Sequence, residues 1–188
     1  MESPGIEEVM RDVARTGFLR RNERPDAGRD EPLPIGSGQS CSQPRTVRHM
    51  LRLLEVEPGQ RVLDVGSGSG WTTALLAHLV GPQGSVIGVE LEPDLAAWGA
   101  SNLSRQGVPW ASIRPSAPDV LGAPRDAPFE RILVSAEATE LPEPLLSQLA
   151  VDGLLVIPVR GSMLRVRRVA DGPPEITTHG FFRFVPLR

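Results

Sequence analysis

The sequence predicts an α/β fold in which a mostly parallel sheet is covered by helices on both faces. Short apolar runs at residues 61–66 and 85–90 indicate buried strands, and a segment with helical periodicity follows each of them. A glycine-rich turn at residues 66–70 joins the first strand directly to its helix. Strands that alternate with helices are typical of parallel βαβ units, and 188 residues are enough for one such domain.

The N-terminal residues are predicted to cover this core. Residues 6–20 show a weak amphipathic helical pattern, whereas residues 20–31 are charged and contain Pro25. Such a run favours a solvated and mobile loop. We therefore expect one domain over residues 1–188, in which residues 1–44 form a helix and a covering loop and residues 45–188 form the core.

The core is predicted to contain seven strands. Helices are expected at residues 44–54, 72–80, 93–105 and 142–150. Strands are expected at residues 61–66, 85–90, 110–114, 130–135, 154–159, 163–169 and 181–185. Because no helical pattern precedes the last pair, we expect an antiparallel hairpin at the C-terminal edge of the sheet.

The composition argues against several classes of function. A formal net charge of -3 and a pI near 5.7 do not suit a nucleic-acid surface, which needs clustered basic charge. The histidines lie far apart in the sequence, and Cys41 is the only cysteine, so neither a metal site nor an internal disulfide is expected. No apolar run is long enough to span a membrane, and the acidic N-terminus does not resemble a signal peptide. We therefore expect a cytoplasmic protein with no nucleic-acid or membrane partner.

The glycine-rich turn predicts a cofactor that contains a nucleotide, because glycines let the backbone approach a ligand at a helix N-terminus. The dinucleotide pattern G-x-G-x-x-G would require glycine at position 71, which is Trp71. The observed pattern, acidic-x-G-x-G-x-G, instead resembles the S-adenosylmethionine site of Rossmann-like methyltransferases. The expected binding residues here are Asp64, Gly66, Ser67, Gly68, Ser69 and Gly70. The alternative is a turn that binds nothing.

Glu90 supports this interpretation. It ends the second predicted strand, about 20 residues beyond the glycine turn, where doubly wound sheets place a carboxylate that binds ribose hydroxyls. A carboxylate can accept two hydrogen bonds in a fixed geometry. We assign Glu90 and its neighbour Leu91 to the predicted cofactor site. A solvated glutamate at a strand end is the alternative.

A second block of sequence is more specific. Residues 30–36 read D-E-P-L-P-I-G, residues 38–44 read G-Q-S-C-S-Q-P, and residues 184–187 read F-V-P-L. Together with the glycine turn, they resemble the protein-L-isoaspartate O-methyltransferase family, whose pattern is D-x-P-L-P-I-G-x-G-Q-T-I-S-Q-P. The resemblance extends over residues 8–188. It implies a Rossmann-like methyltransferase fold and S-adenosylmethionine as the cofactor.

The resemblance also implies a reaction. The substrate would be an isoaspartyl residue in a damaged protein or peptide, and its α-carboxylate would receive the methyl group. The ester would then collapse to a succinimide that reopens partly to normal aspartate. A carboxylate with a pKa near 4 is already ionised at pH 7, so no general base is needed. Positioning and desolvation can supply most of the rate acceleration.

Ser42 matches the family serine whose hydroxyl lies near the reacting carboxylate, and the resemblance implies a catalytic role for it. Ser40, in the place of the usual threonine, and Gln43 are assigned to the cofactor site, while Cys41 replaces an isoleucine. The alternative for both serines is N-capping of the helix that begins at Pro44.

The pattern is broken where the family usually has Gly-Asp-Gly, whose aspartate accepts a hydrogen bond from adenine. The corresponding residues are Ala117, Pro118 and Asp119, and Asp119 could act as a substitute one position later. Loss of one such bond would cost about 1–3 kcal/mol of binding energy. Two alternative functions stay open, the first because the cofactor motif is kept while the covering segment and this loop are altered, and the second because of the altered adenine loop. One is a carboxylate O-methyltransferase for a dedicated biosynthetic peptide or small molecule, and the other is a non-catalytic binding module.

Overall fold

The computed structural model describes residues 4–117 and 119–188. Its α-helices are α1 (Ile6–Asp12), α2 (Pro44–Leu54), α3 (Trp71–Val80), α4 (Pro93–Ser104) and α5 (Glu143–Gln148). Its strands are β1 (Leu33–Gly36), β2 (Gln39–Cys41), β3 (Arg61–Val65), β4 (Ser85–Glu90), β5 (Ala111–Pro115), β6 (Phe129–Val134), β7 (Leu149–Val159), β8 (Ser162–Arg167) and β9 (Glu175–Phe181).

The main sheet has seven strands in the order β5-β4-β3-β6-β7-β8-β9, and β1 and β2 form a separate antiparallel hairpin. Strands β3 to β7 are parallel, whereas β8 and β9 are antiparallel to their neighbours. The predicted fold class is thereby confirmed. The chain runs from β3 toward β4 on one side, and β6 lies on the other side of β3. Such a reversal opens a crevice at the carboxyl ends of the strands, where ligands bind in α/β proteins.

Helices cover both faces of the sheet, as predicted. Alternate residues of β3 point to opposite faces, so Val62 belongs to one buried cluster while Leu63 and Val65 belong to the other. Helices α1 to α4 pack on the first face, with Leu51 and Leu75 fully buried there. Helix α5 packs on the second face.

Two predicted strands differ from the observed ones. The last strand was expected at residues 181–185 and is found at Glu175–Phe181. Its side chains are almost all exposed because it lies at the edge of the sheet, so it lacks the apolar alternation that marks a half-buried strand. Strand β7 begins at Leu149, five residues before its predicted start, and its pairing with β6 shifts between Phe129 and Arg131.

The covering segment also differs from its prediction. Helix α1 ends at Asp12 instead of near Gly17, where its pattern was expected to end, and a short 3-10 helix over Arg15–Phe18 follows it. The side chains of residues 20–31 are mostly exposed, as expected. Their backbone is nevertheless anchored, since the buried Arg15 side chain donates hydrogen bonds to carbonyls in this segment.

Among the described residues, no helix is long and apolar enough to cross a membrane. Within the same residues, no group of three or more histidine, cysteine, aspartate or glutamate side chains is arranged to hold a metal ion.

Candidate active site

A cavity of about 470 Å³ lies at the carboxyl ends of β3, β4 and β6. This volume is within the range of small-molecule and cofactor sites. The glycine turn and the end of β4 form one wall. The β1–β2 hairpin and the C-terminal residues 185–188 form further parts of the lining. The cavity therefore occupies the crevice that the strand order creates.

The glycine turn is held in place by backbone hydrogen bonds. The amides of Gly66 and Ser67 donate to the Val89 carbonyl at 2.9 and 3.1 Å, and the amide of Gly70 donates to the Ser67 carbonyl at 2.8 Å. Gly68 has a φ of +53°, and a Cβ there would lie 3.1 Å from Cδ1 of Ile35. The turn thus presents backbone to the cavity where a side chain would intrude.

The Glu90 carboxylate is fixed at the end of β4. It is 6% exposed, and its two oxygens accept hydrogen bonds from the amides of Gly68 at 2.8 Å and Glu92 at 3.1 Å. Each oxygen has a second lone pair that can accept another hydrogen bond. Glu90 thereby links the glycine turn to β4 and keeps acceptor capacity on the cavity wall.

Most of the residues that the sequence assigned to the site line this cavity: Ser40, Ser42, Gly66, Ser67, Gly68, Ser69, Glu90, Leu91 and Asp119. Gln43, Asp64 and Gly70 do not, and the structure gives them supporting positions instead. The Gln43 carbonyl accepts the amides of Thr46 and Val47 at the start of α2. Gly70 precedes α3 and packs against Gly99 of α4.

Asp64 lies beneath the glycine turn and is fully buried. Its Oδ2 accepts hydrogen bonds from the hydroxyls of Thr72 at 2.9 Å and Thr73 at 2.7 Å, while Oδ1 has no partner among the described residues. Burial raises the pKa of Asp64 from its usual 3.8 to about 6. The carboxylate therefore connects β3 to the first turn of α3 and does not reach the cavity wall.

This burial predicts how stability depends on pH. Because the native pKa is raised, the native state binds a proton at pH values where the unfolded chain has released it, so the contribution of Asp64 to stability is lost as pH rises from about 4 to 6. At 1.36 kcal/mol per pKa unit, the loss is about 3 kcal/mol. Asp64→Asn removes this titration. In denaturant unfolding at pH 4 to 7, the variant should gain stability relative to the wild type by about that amount. A difference that is constant with pH would contradict the assignment.

The two serines of the covering hairpin both line the cavity. Ser40 is in β2 and pairs with Pro34 of β1, and Ser42 follows directly after the strand. The N-cap residue of α2 is Gln43, whose side chain makes no capping hydrogen bond, and the first-turn amide of Arg45 donates to Oδ1 of Asp30 at 2.8 Å. The alternative role of Ser42 as a helix cap is therefore not observed, and its position on the cavity wall distinguishes it from an ordinary loop serine.

The end of the cavity assigned to adenine is formed by the segment after β5. Ala117 and Asp119 line it, whereas Pro118 lies outside the described residues. The Ser116 amide donates to the Glu90 carbonyl at 2.7 Å. Further along this segment, the buried Gln148 side chain accepts the Ala123 amide at 2.7 Å. This end of the cavity is thus tied to both β4 and α5.

Several supporting residues were not identified from the sequence. The Asn102 side chain in α4 is buried and donates to the Ser69 carbonyl at 2.9 Å. A Cβ on the neighbouring Gly99 would lie 2.6 Å from the Gly68 carbonyl oxygen. Glycine inside a helical pattern is the signal that could have located this contact. Ser135, a polar residue directly after the apolar strand β6, also lines the cavity.

The C-terminal segment closes one side of the cavity. The Glu137 amide donates to the Val185 carbonyl and the Leu187 amide donates to the Glu137 carbonyl, both at 2.7 Å. An ion pair of 2.7 Å joins Arg188 to Glu92, just beyond Glu90. The F-V-P-L block thus contributes directly to the site.

Known proteins of one methyltransferase family are similar to this chain in sequence and in fold. A family model described as Protein-L-isoaspartate(D-aspartate) O-methyltransferase (PCMT) matches residues 1–188. The chain is 40% identical over 191 residues to the protein-L-isoaspartate O-methyltransferase of Methanopyrus kandleri. The alignment covers 100% of this chain and 84% of that protein. It is 45% identical over 179 residues to a protein of the same name from Anaeromyxobacter dehalogenans, with 92% and 84% covered.

A solved structure is similar over the whole chain. It is described as a protein-L-isoaspartate O-methyltransferase from Plasmodium falciparum in complex with S-adenosyl-L-homocysteine. The TM-score is 0.86 at 26% sequence identity, and the alignment covers 100% of this chain and 92% of that one. The resemblance inferred from the sequence motifs is confirmed, and the chain belongs to the protein-L-isoaspartate (D-aspartate) O-methyltransferase family.

Proposed function

We propose that this chain transfers the methyl group of S-adenosylmethionine to the α-carboxylate of L-isoaspartyl residues in damaged proteins or peptides. One observation supports this most strongly. A single cavity brings the glycine turn and Glu90 together with Ser42 at the end of the covering hairpin. A methyl transfer requires a place for the cofactor and a place for the acceptor in one cavity. We call the glycine turn and Glu90 the cofactor side, and the part of the wall around Ser42 the acceptor side.

The residues on the cofactor side fit S-adenosylmethionine. Glu90 offers acceptors for ribose hydroxyls, and the turn offers backbone without intruding side chains. Ser67 and Ser69 of the turn also lie on the cavity wall. Bound S-adenosylmethionine supplies an electrophilic methyl group on a positively charged sulfur.

The acceptor side needs to orient an anion and exclude water. The Ser42 hydroxyl can donate to one oxygen of the substrate carboxylate and leave the other oxygen free to attack. A neutral donor does this without burying another charge. The side chains of Ile35, Val47 and Leu187 make part of the wall apolar, which favours a reaction that neutralises opposite charges.

The remaining assignments belong to the same proposal. Ser40, Ser69, Leu91 and Asp119 contact the cofactor or its surroundings from the cavity wall, whereas Gln43, Asp64 and Gly70 hold the wall in position. The partner is an isoaspartyl protein or peptide, and the reaction takes place in the cytoplasm without a nucleic-acid or membrane partner.

The proposed function is tested with methyl-labelled S-adenosylmethionine and two peptides that differ only in one isoaspartyl or aspartyl residue. Label should appear in the isoaspartyl peptide alone. Cofactor binding in calorimetry without transfer to either peptide would favour a different, dedicated acceptor. Absence of cofactor binding would contradict methyl transfer altogether.

Ser42→Ala should lower kcat on the isoaspartyl peptide by about tenfold, since one orienting hydrogen bond is worth about 1 kcal/mol or slightly more. The affinity for S-adenosylmethionine should change little because the lost hydroxyl is on the acceptor side. Steady-state kinetics and calorimetry measure the two effects. Ser112→Ala, on the exposed surface of β5, is the matched control. An unchanged kcat in Ser42→Ala would exclude the catalytic role.

A further inference from the structure

One buried guanidinium connects separate parts of the covering segment. Arg15 is 4% exposed. Its terminal nitrogens donate to four backbone carbonyls: Ala27 at 3.4 Å, Arg29 at 3.1 Å, Glu31 at 2.8 Å and Cys41 at 2.8 Å. The side chain thereby ties residues 27–31 to the last residue of β2.

The charge of Arg15 has no carboxylate partner within the described ranges of the chain. None of the ion pairs found there includes it, and its Nε also has no hydrogen-bond partner there. Carbonyl dipoles and the ring of Trp71, whose centroid lies 5.7 Å from Cζ, are its surroundings. A buried charge without a counterion is costly for stability. What a guanidinium offers instead is a rigid fork of donors that sets a specific geometry.

Arg15 contacts two residues that line the cavity in different places, Cys41 at the end of the hairpin and Trp71 after the glycine turn. The Cys41 carbonyl that it binds directly precedes Ser42 on the acceptor side. Trp71, under the guanidinium, follows the glycine turn on the cofactor side and donates to the Val13 carbonyl at 2.9 Å. The Arg15 side chain itself is not part of the cavity wall.

We propose that Arg15 is a positioning residue for methyl transfer, which sets the place of Ser42 relative to the cofactor through the Cys41 carbonyl. This inference rests on the proposed role of Ser42. Because Arg15 does not line the cavity, its effect on the reaction passes through the end of β2, where it binds the Cys41 carbonyl. A small displacement of Ser42 is sufficient, because a misplacement of about 1 Å can slow a reaction about 100-fold.

The test uses two variants, Arg15→Lys and Arg15→Gln. Arg15→Lys keeps the positive charge. Arg15→Gln removes the buried charge and its cost, so it is the variant better suited to fold. In each, kcat on the isoaspartyl peptide should fall about tenfold or more, while the Kd for S-adenosylmethionine stays within about threefold of the wild type. In the background of Ser42→Ala, the same substitutions should cause little further loss, because residues that act through one another are not additive. The control is Arg24→Lys, which should not change kcat. Arg24 is exposed, and its Nε donates to the Leu19 carbonyl at 3.3 Å.

A fully additive loss in the double variants, or an unchanged kcat in both single variants, would overturn the inference. Hydrogen exchange provides a readout that does not depend on activity. In Arg15→Gln, amides in residues 27–31 and 39–43 should exchange about tenfold faster or more, while those in β4 do not change. Unchanged exchange in both segments would contradict the positioning role. Failure of the wild type to methylate the peptide would overturn the proposed function instead and leave this exchange result to decide on Arg15.

Discussion

Glu90→Ala is expected to weaken the binding of S-adenosylmethionine by about 100-fold or more. The substitution removes an acceptor for ribose hydroxyls, and hydrogen bonds to a charged group are worth about 1.5–3 kcal/mol each. It also leaves the Gly68 and Glu92 amides without their present partner, so the glycine turn loses its link to the end of β4. Calorimetric titration of the variant with the cofactor measures the effect.

Two further variants make this result specific. Glu90→Gln keeps the size of the side chain and one acceptor oxygen, so its affinity should lie between those of the wild type and Glu90→Ala. Asp94→Asn neutralises an exposed carboxylate in the first turn of α4 and should leave the affinity within about threefold of the wild type. Equal affinities for all these proteins would exclude Glu90 from the cofactor site.

Gly99→Ala is expected to disrupt the glycine turn, which packs against α4 at this residue. Its Cβ would lie 2.6 Å from the Gly68 carbonyl oxygen, and the obstructing atom is backbone that cannot move without the turn. Alanine favours a helix over glycine by about 1 kcal/mol, yet overpacking of this kind costs about 1–3 kcal/mol. The affinity for S-adenosylmethionine should therefore fall about tenfold or more, with a lower midpoint of thermal unfolding.

The matched control for this substitution is Gly28→Ala, where a Cβ would meet nothing within 4 Å. Its affinity and unfolding midpoint should equal those of the wild type. If Gly99→Ala binds the cofactor as tightly as Gly28→Ala does, then α4 does not hold the turn in its binding geometry.

The central strands could be predicted from the sequence because both of their faces are buried. Strand β4 was predicted with its observed bounds, and β3 ends one residue earlier than expected. Their apolar runs reflect contacts with helices on both sides of the sheet. Strand β9 carries Glu175, Thr177 and Thr178 toward solvent, so the residues themselves contain little information on its position.

In the candidate site too, some residues could be predicted from the sequence and others could not. The glycine turn and Glu90 are set by local sequence, because a strand end, a tight turn and a helix start must be adjacent in the chain. The support behind them depends on contacts between distant segments. Asn102 donates to a carbonyl 33 residues away, and Arg15 binds the Cys41 carbonyl 26 residues away. An arginine in a charged N-terminal segment gives no sign in the sequence that it will be buried.

The proposed reaction is tested most directly by locating the transferred methyl group in the product. An isoaspartyl peptide is incubated with the protein and S-adenosylmethionine that carries a ¹³C-labelled methyl group, and the product is sequenced by tandem mass spectrometry. Methyl transfer to the isoaspartyl residue should give a labelled ester on its α-carboxylate, followed by loss of labelled methanol as the succinimide forms. Label on any other group, or equal label in the aspartyl peptide, would contradict it.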